Sequence, residues 1–192
     1  MGGGADAPGT QKFRIFTRFL NSFGIPLVMI SNSSGFVPGI KQERLRIQAI
    51  GAESINENIR GRIPVVSLVL NQNYGGRQIQ AFNRHLRPGI VAIALERSIM
   101  AVIGAGVAFE LLQKKKYSGL TDSGDAAGAE ELREQFMAAY TEKARAKNDA
   151  LRSGALDWVI PGESGLRAHI IKALALAEER CRKAFGHFGT TA

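Results

Sequence analysis

Tyr74-Gly75-Gly76-Arg77 follows the apolar run "IPVVSLVLN" and precedes the helix-like stretch "QIQAFNRHL". Two adjacent glycines at such a junction do one of two things. They turn the chain through φ > 0, or they let backbone N–H groups approach a ligand closely. Amides aimed at a developing oxyanion stabilise it without any titratable group. Arg77 adds its own amide, or a cation that attracts a carboxylate. "SGFVPG", with Gly35, Phe36 and Gly39, forms a second turn cluster, and Gly104, Ala105 and Gly106 open a helix after a strand. A tight turn or close helix packing is the plain alternative at each. Other chemistries find little support. His85, His169 and His187 lack ligand spacing, so no metal site is expected, and Glu43 and Glu96 are the acids beside these loops. No Ser-His-Asp order, CxxC or Walker loop is present, and "GAGVA" does not complete the dinucleotide fingerprint.

These loops need elements to hold them. In "KFRIFTRFLNSFG", Phe13, Phe16, Phe19 or Leu20, and Phe23 recur at helical spacing before a Gly24 stop, which predicts one helix. "IPLVMIS" is an apolar run of strand length, the kind buried on both faces of a helix-covered sheet. A helix is expected from about 39 to 60, with Ile40, Leu45, Ile47, Ile50, Ile55 and Ile59 on its buried side. "IPVVSLVLN", "GIVAIAL" and "IMAVIG" predict further strands, with "QNYGGRQ" as a loop, and "AGVAFELLQKKK" predicts a helix. "YSGLTDSGDAAGA" reads as a mobile loop, residues 129 to 153 as a long helix stopped at Gly154, and "ALDWVI" as a short strand or turn. The last helix carries Leu166, Ile170, Ile171, Leu174 and Leu176 on its apolar side. Strand, glycine loop and helix recur in order, which argues an α/β architecture of repeated units.

A chain of 192 residues is sized for one domain with a core that needs no staples. The glycine-rich residues 1–10 read as a flexible arm and 11–192 as a single domain. Cys181 has no partner for a disulfide within the chain and fits a reducing, cytoplasmic setting. "GIPLVMI" and "GIVAIAL" fall well short of the roughly 20 apolar residues of a membrane-spanning helix, so no membrane partner is expected. A net charge of +8 admits nucleic acid, a membrane surface, or an anionic molecule or acidic partner. The basic residues are scattered, and the run Lys114, Lys115, Lys116 reads as a solvated helix end. Without helix-turn-helix, zinc or aromatic-sheet motifs, no nucleic-acid partner is expected.

In order and spacing, "FGIPLVMISNSSGFVPGIKQE", Gly51-Ala52, "IPVVSLVLNQNYGGRQI", "IMAVIGAGVAFELL" and "ALDWVIPGESGLRAHIIKALAL" resemble the carboxyltransferase half-domains of biotin-dependent acyl-CoA carboxylases. The likeness runs over roughly residues 12 to 180 and is to the C-terminal half of the propionyl-CoA-type β subunit. It implies a crotonase-like (ClpP/crotonase) fold of repeated ββα units with helices covering the sheet. It implies transfer of a carboxyl group from carboxybiotin to a short acyl-CoA through backbone oxyanion holes. Gly75, Gly76 and the N–H of Arg77 match the loop that binds the biotin ureido oxygen. Gly35, Phe36, Gly39, Gly104 and Ala105 would shape the substrate pocket. Ile79 falls where acyl choice is tuned, and its side chain suits a short aliphatic acyl group. Biotin would arrive on a separate biotin carboxyl carrier protein, with no metal. The acyl-CoA-binding half would come from a partner or from self-association, giving a homo- or hetero-oligomer in which Gly76 faces another chain.

Three positions depart from that pattern. Arg77 stands where relatives carry a small residue, Asn32 where many carry aspartate, and Leu95-Glu96 where Trp-Pro is usual. They keep two alternatives open. One is a biotin-independent decarboxylase subunit resembling the malonate decarboxylase γ subunit, with Arg77 holding a substrate carboxylate. The other is a non-catalytic scaffold subunit of the same fold.

Overall fold

A computed structural model describes residues 3–186; His187, one of the three histidines without ligand spacing, lies outside them. The apolar runs form strands β1 (Leu27–Ser33), β2 (Val65–Tyr74), β3 (Ile90–Leu95), β4 (Ile99–Ala101) and β5 (Trp158–Ile160). All pair in parallel, in the order β1-β2-β3-β5, with β4 also on β2. β2 serves two partners in succession, pairing Val65 to Val69 with β3 and Gln72 to Tyr74 with β4. Parallel strands require crossover connections, and here these are the helices. They are α1 (Ala7–Phe23), α2 (Ile40–Arg44), α3 (Ile47–Arg60), α4 (Gly75–Gln80), α5 (Ala105–Leu112), α6 (Lys114–Asp122), α7 (Ala126–Lys143) and α8 (Leu166–Phe185). A 3-10 turn covers Arg84–Leu86 and a π turn Ala146–Ala150.

β2 and β3 supply most of the core. On one face Val66, Leu68, Val91, Ile93, Leu95 and Ile160 meet Ala173 and Ala177 of α8. These alanines lie one turn apart, so the helix axis approaches the sheet closely along one stripe. On the other face Val69, Ala92, Ala94 and Met100 pack on Ala146, Ala150 and Leu156. Val65, Ile90, Ile63, Phe82 and Leu20 form a third cluster, with Phe13, Leu27 and Met29 against it. Each large side chain buried in this way contributes about 1.5–3 kcal/mol.

Several boundaries differ from expectation. The first helix begins at Ala7 rather than near Lys12, because Asp6 accepts from Gly9 N at 2.8 Å and Pro8 suits the first turn. Part of the expected arm is thereby in the fold: Ala5 N donates to Gly35 O at 2.9 Å and Val37 N to Ala5 O at 3.0 Å. β1 is an edge strand, and α8 leaves its near side open, so Val28 and Ile30 stay exposed instead of buried. The helix expected over 39–60 is two, broken where Arg46 takes φ 60. The break rotates the expected stripe: α3 buries Ile47, Gly51, Ser54 and Asn58, while Ile40, Leu45 and Ile59 are exposed.

Residues read as a mobile loop are largely helical. α6 runs to Asp122, and Asp125 caps α7 by accepting from Gly128 N at 2.9 Å. Lys114 to Lys116 therefore begin α6 rather than end α5. The long helix expected to reach residue 153 stops at Lys143. There the backbone is drawn to the sheet instead: Met100 N donates to Ala144 O and Ala146 N to Ser98 O, both at 2.8 Å. No helix among the described residues is long and apolar enough to cross a membrane.

Candidate functional site

β2 runs directly into α4, with no intervening loop, so Gly75 and Gly76 are the first two residues of the helix. The first N–H groups of a helix have no partner within it, and the N-cap residue Tyr74 makes no side-chain cap bond. Gly75 takes φ 59, the left-handed region where a side chain is strained, and a Cβ there would lie 3.2 Å from the Val102 carbonyl oxygen. Gly76 serves packing as well. The Phe36 ring sits between it and Gly51, and added Cβ atoms would meet that ring at 3.1 Å and 3.2 Å. Gly35, at φ 109, follows β1 and lies beside the Tyr74 carbonyl, 3.7 Å from where its Cβ would be.

Gly35, Phe36, Gly75 and Gly76 thus meet at the carboxyl ends of β1 and β2, where open parallel sheets bind ligands. β4 ends beside them, since Ala101 pairs with Tyr74. Gly104 is the N-cap of α5 and Ala105 its first residue; no side chain caps this helix, and a Cβ on Gly104 or Gly106 would meet nothing within 4 Å. Two uncapped helix starts therefore leave one end of the sheet, each with backbone donors and the positive end of a helix dipole. Gly39 is set apart: it begins α2 and has no neighbour within 4 Å of its Cβ position. Ile79 lies on α4 and is 43% exposed.

Arg77 does not reach for a ligand. Its guanidinium lies 5.1 Å from the centre of the Phe13 ring, a cation–π distance, and its Nη1 donates to Gln80 Oε1. Gln80 in turn donates to Ser54 Oγ at 2.8 Å and accepts at its carbonyl from Asn58 Nδ2 at 2.6 Å. Burial holds the Arg77 pKa below its ordinary value. The arginine ties α4 to α1 and α3, which leaves its amide as the part presented at the helix start.

A groove of about 800 Å³ adjoins this end of the sheet, lined by Gln78, Met100, Val102, Phe136, Tyr140 and Lys143 among others. Tyr140 is fixed by donating to Ile103 O at 2.9 Å. Burial, and secondarily Tyr140, raises the Tyr74 pKa, so the phenol beside the double glycine stays neutral at physiological pH. Sequence reasoning missed Val102, Phe136 and Tyr140. The last two lie on α7 and join Met100 and Ala101 of β4 in the groove through tertiary packing, which no local pattern announces.

The chain matches the carboxyl transferase domain family over residues 1–188. It is 31% identical over 180 residues to the biotin-dependent acetyl-/propionyl-coenzyme A carboxylase beta6 subunit of Mycobacterium tuberculosis, covering 94% of this chain and 37% of that one. To the methylmalonyl-CoA carboxyltransferase 12S subunit of Propionibacterium freudenreichii it is 32% identical over 152 residues, covering 78% of this chain and 29% of that one. Among solved structures, transcarboxylase 12S with methylmalonyl-coenzyme A and methylmalonic acid bound superposes with a TM-score of 0.80 at 27% identity, covering 92% of this chain and 32% of that one. The geranyl-CoA carboxylase beta subunit of P. aeruginosa shares the fold, with a TM-score of 0.72 at 23% identity, covering 93% of this chain and 34% of that one. The chain spans about a third of the length of these relatives. The parallel sheet covered by helices is the fold of these relatives, and the chain belongs to the carboxyl transferase domain family.

Proposed function

We propose that the chain acts in carboxyl transfer between a biotin carrier and a short acyl-CoA, with the amides at the start of α4 as the oxyanion donors. The observation that carries this reading is the uncapped Gly75-Gly76-Arg77 helix start beside Phe36 and Val102. That start suits a flat, neutral ureido group: no Cβ stands at the first two positions, no side chain caps the amides, and the Arg77 guanidinium is tied to Gln80 and Phe13. Biotin, when bound, supplies the transferable carboxyl group. The chain's own part is to hold N–H donors on the oxygen that gains charge, a contribution of roughly 3–4 kcal/mol per donor. Tyr74, neutral and partly buried, adds no competing charge. Exposed Ile79 offers apolar surface to a short acyl chain. The acyl-CoA-binding half comes from another polypeptide or a second copy, with the uncapped starts of α4 and α5 facing it.

The decarboxylase alternative needs the Arg77 guanidinium free for a carboxylate, and its engagement with Gln80 and Phe13 weighs against that. The test is to incubate the chain with carboxylated biotin carrier and propionyl-CoA, with and without an acyl-CoA-binding β-subunit half. Labelled carboxyl appearing on CoA thioester supports the proposal. Carbon dioxide release from malonyl-CoA without biotin, or no turnover in any arm, overturns it.

A further inference from the structure

At the opposite end of the sheet, where β3 begins, the segment Asn83 to Gly89 places Arg84, His85 and Arg87 around a cavity of about 470 Å³ that Arg180 of α8 completes. Asp157 is the one acid that touches these guanidinium groups among the described residues. It meets Arg180 Nη2 at 2.6 Å and Arg84 Nε at 3.2 Å, while its other oxygen accepts from Ala92 N at 2.9 Å. Its charge is therefore already shared. Arg87, 6% exposed, meets no carboxylate among the described residues. Its Nε, Nη1 and Nη2 donate to the carbonyls of Asn58, Pro88 and Ile63 at 2.9, 3.0 and 2.7 Å.

Burying a cation without an anion costs several kcal/mol, and carbonyl dipoles offset only part of that cost. Burial accordingly lowers the Arg87 pKa. Arg180 also donates through Nη1 to Ile90 O at 3.1 Å, and three guanidinium groups against one bound carboxylate leave a local excess of positive charge at a cavity open to solvent, which Glu179 lessens from longer range. Arg84 touches Asp157 only through Nε, and 41% of its side chain is exposed. The cavity is also held rigidly. A Cβ on Gly89 would lie 2.1 Å from Cys181 Sγ, so the segment is pressed against α8.

We propose that this cavity is a binding site for a phosphoryl group, remote from the carboxyl-transfer site. Guanidinium forks match the paired oxygens of a phosphate, and a doubly charged anion neutralises the excess left by Asp157. Arg84 is the mobile clamp, whereas Arg180 and Arg87 form the fixed wall.

The test titrates the full chain with inorganic phosphate and, separately, with adenosine monophosphate. Calorimetry and thermal denaturation serve as readouts, with ionic strength held constant by sodium chloride. Saturable binding and a rise in Tm beyond the chloride control are expected, with Arg84→Gln weakening the affinity about tenfold, as losing one charge-assisted hydrogen bond does. Arg84→Lys, which keeps the charge, is expected to fall in between. Equal affinities for the two anions indicate free phosphate as the ligand, and tighter binding of the nucleotide indicates a phosphorylated organic molecule. A response identical to chloride, or unchanged affinity in a folded Arg84→Gln protein, overturns the proposal.

Discussion

α8 and α1 are both amphipathic helices packed on the same domain, and they use their apolar residues in opposite ways. α8 turns small side chains, Ala173, Ala177 and Cys181, to the sheet, with Leu166, Ile170 and Leu174 closing around them. α1 buries Thr10, Thr17 and Leu20 and leaves Ile15, Phe16, Phe19 and Phe23 outside, Phe19 at 51% exposure. β1 also exposes apolar residues, with Ile30 at 56%. α8 completes the core of this chain. α1 presents a surface of the kind that marks an interaction site. The periodicity of a helix shows that it has an apolar face, and says nothing about which molecule covers it.

Substitutions on the two helices should separate these roles. The largest effect is expected beneath α8. Gly89→Ala places a Cβ against Cys181 Sγ at a φ of 80 and should cost roughly 3–4 kcal/mol in urea unfolding. Combining it with Cys181→Ala should recover part of that loss, because the two residues touch. Ala177→Leu, which overpacks the α8 contact with the sheet, should cost about 1–3 kcal/mol. Should either change prove neutral, α8 is not the core element described.

A smaller effect comes with pH. Burial raises the Cys181 pKa, with Arg87 opposing it. The folded thiol therefore holds its proton to higher pH than the unfolded one. Its contribution to stability is complete below the ordinary thiol pKa, about 8.5, and is lost as pH rises through the folded value. Unfolding followed from pH 7 to 10 should show this decline in the native protein, and Cys181→Ala should flatten it. The smallest effect on folding is expected on α1. Phe16→Ser with Phe19→Ser should change unfolding free energy by less than about 0.5 kcal/mol. The same pair should lower self-association or partner capture in sedimentation. A large loss of stability there would mean that α1 is sealed within this chain.

Much of this architecture could be read from residue patterns. The buried runs of β2 and β3 and the glycine stop after α1 are local signals, and they were legible for that reason. Where tertiary contacts outbid local preference, the reading failed. The α7 break at Ala144 follows from hydrogen bonds to Met100 and Ser98, distant in sequence. The rotation of α3 follows from Arg46 leaving the helical region. At the candidate site the double glycine announced itself, but the orientation of Arg77 did not, because Phe13 and Ser54 lie on other elements. Nor did the cationic cavity, since Asp157 and Arg180 come from segments far from Arg84.

The most direct test compares Arg77→Pro with Arg77→Ala in carboxyl transfer, with folding checked by circular dichroism. Alanine removes the guanidinium and keeps the N–H. Proline removes both, at a first-turn position where a helix tolerates it. The account predicts that transfer by Arg77→Pro falls about 10²–10³-fold below that of Arg77→Ala, the effect of losing one oxyanion donor. Equal rates for the two folded proteins would contradict it.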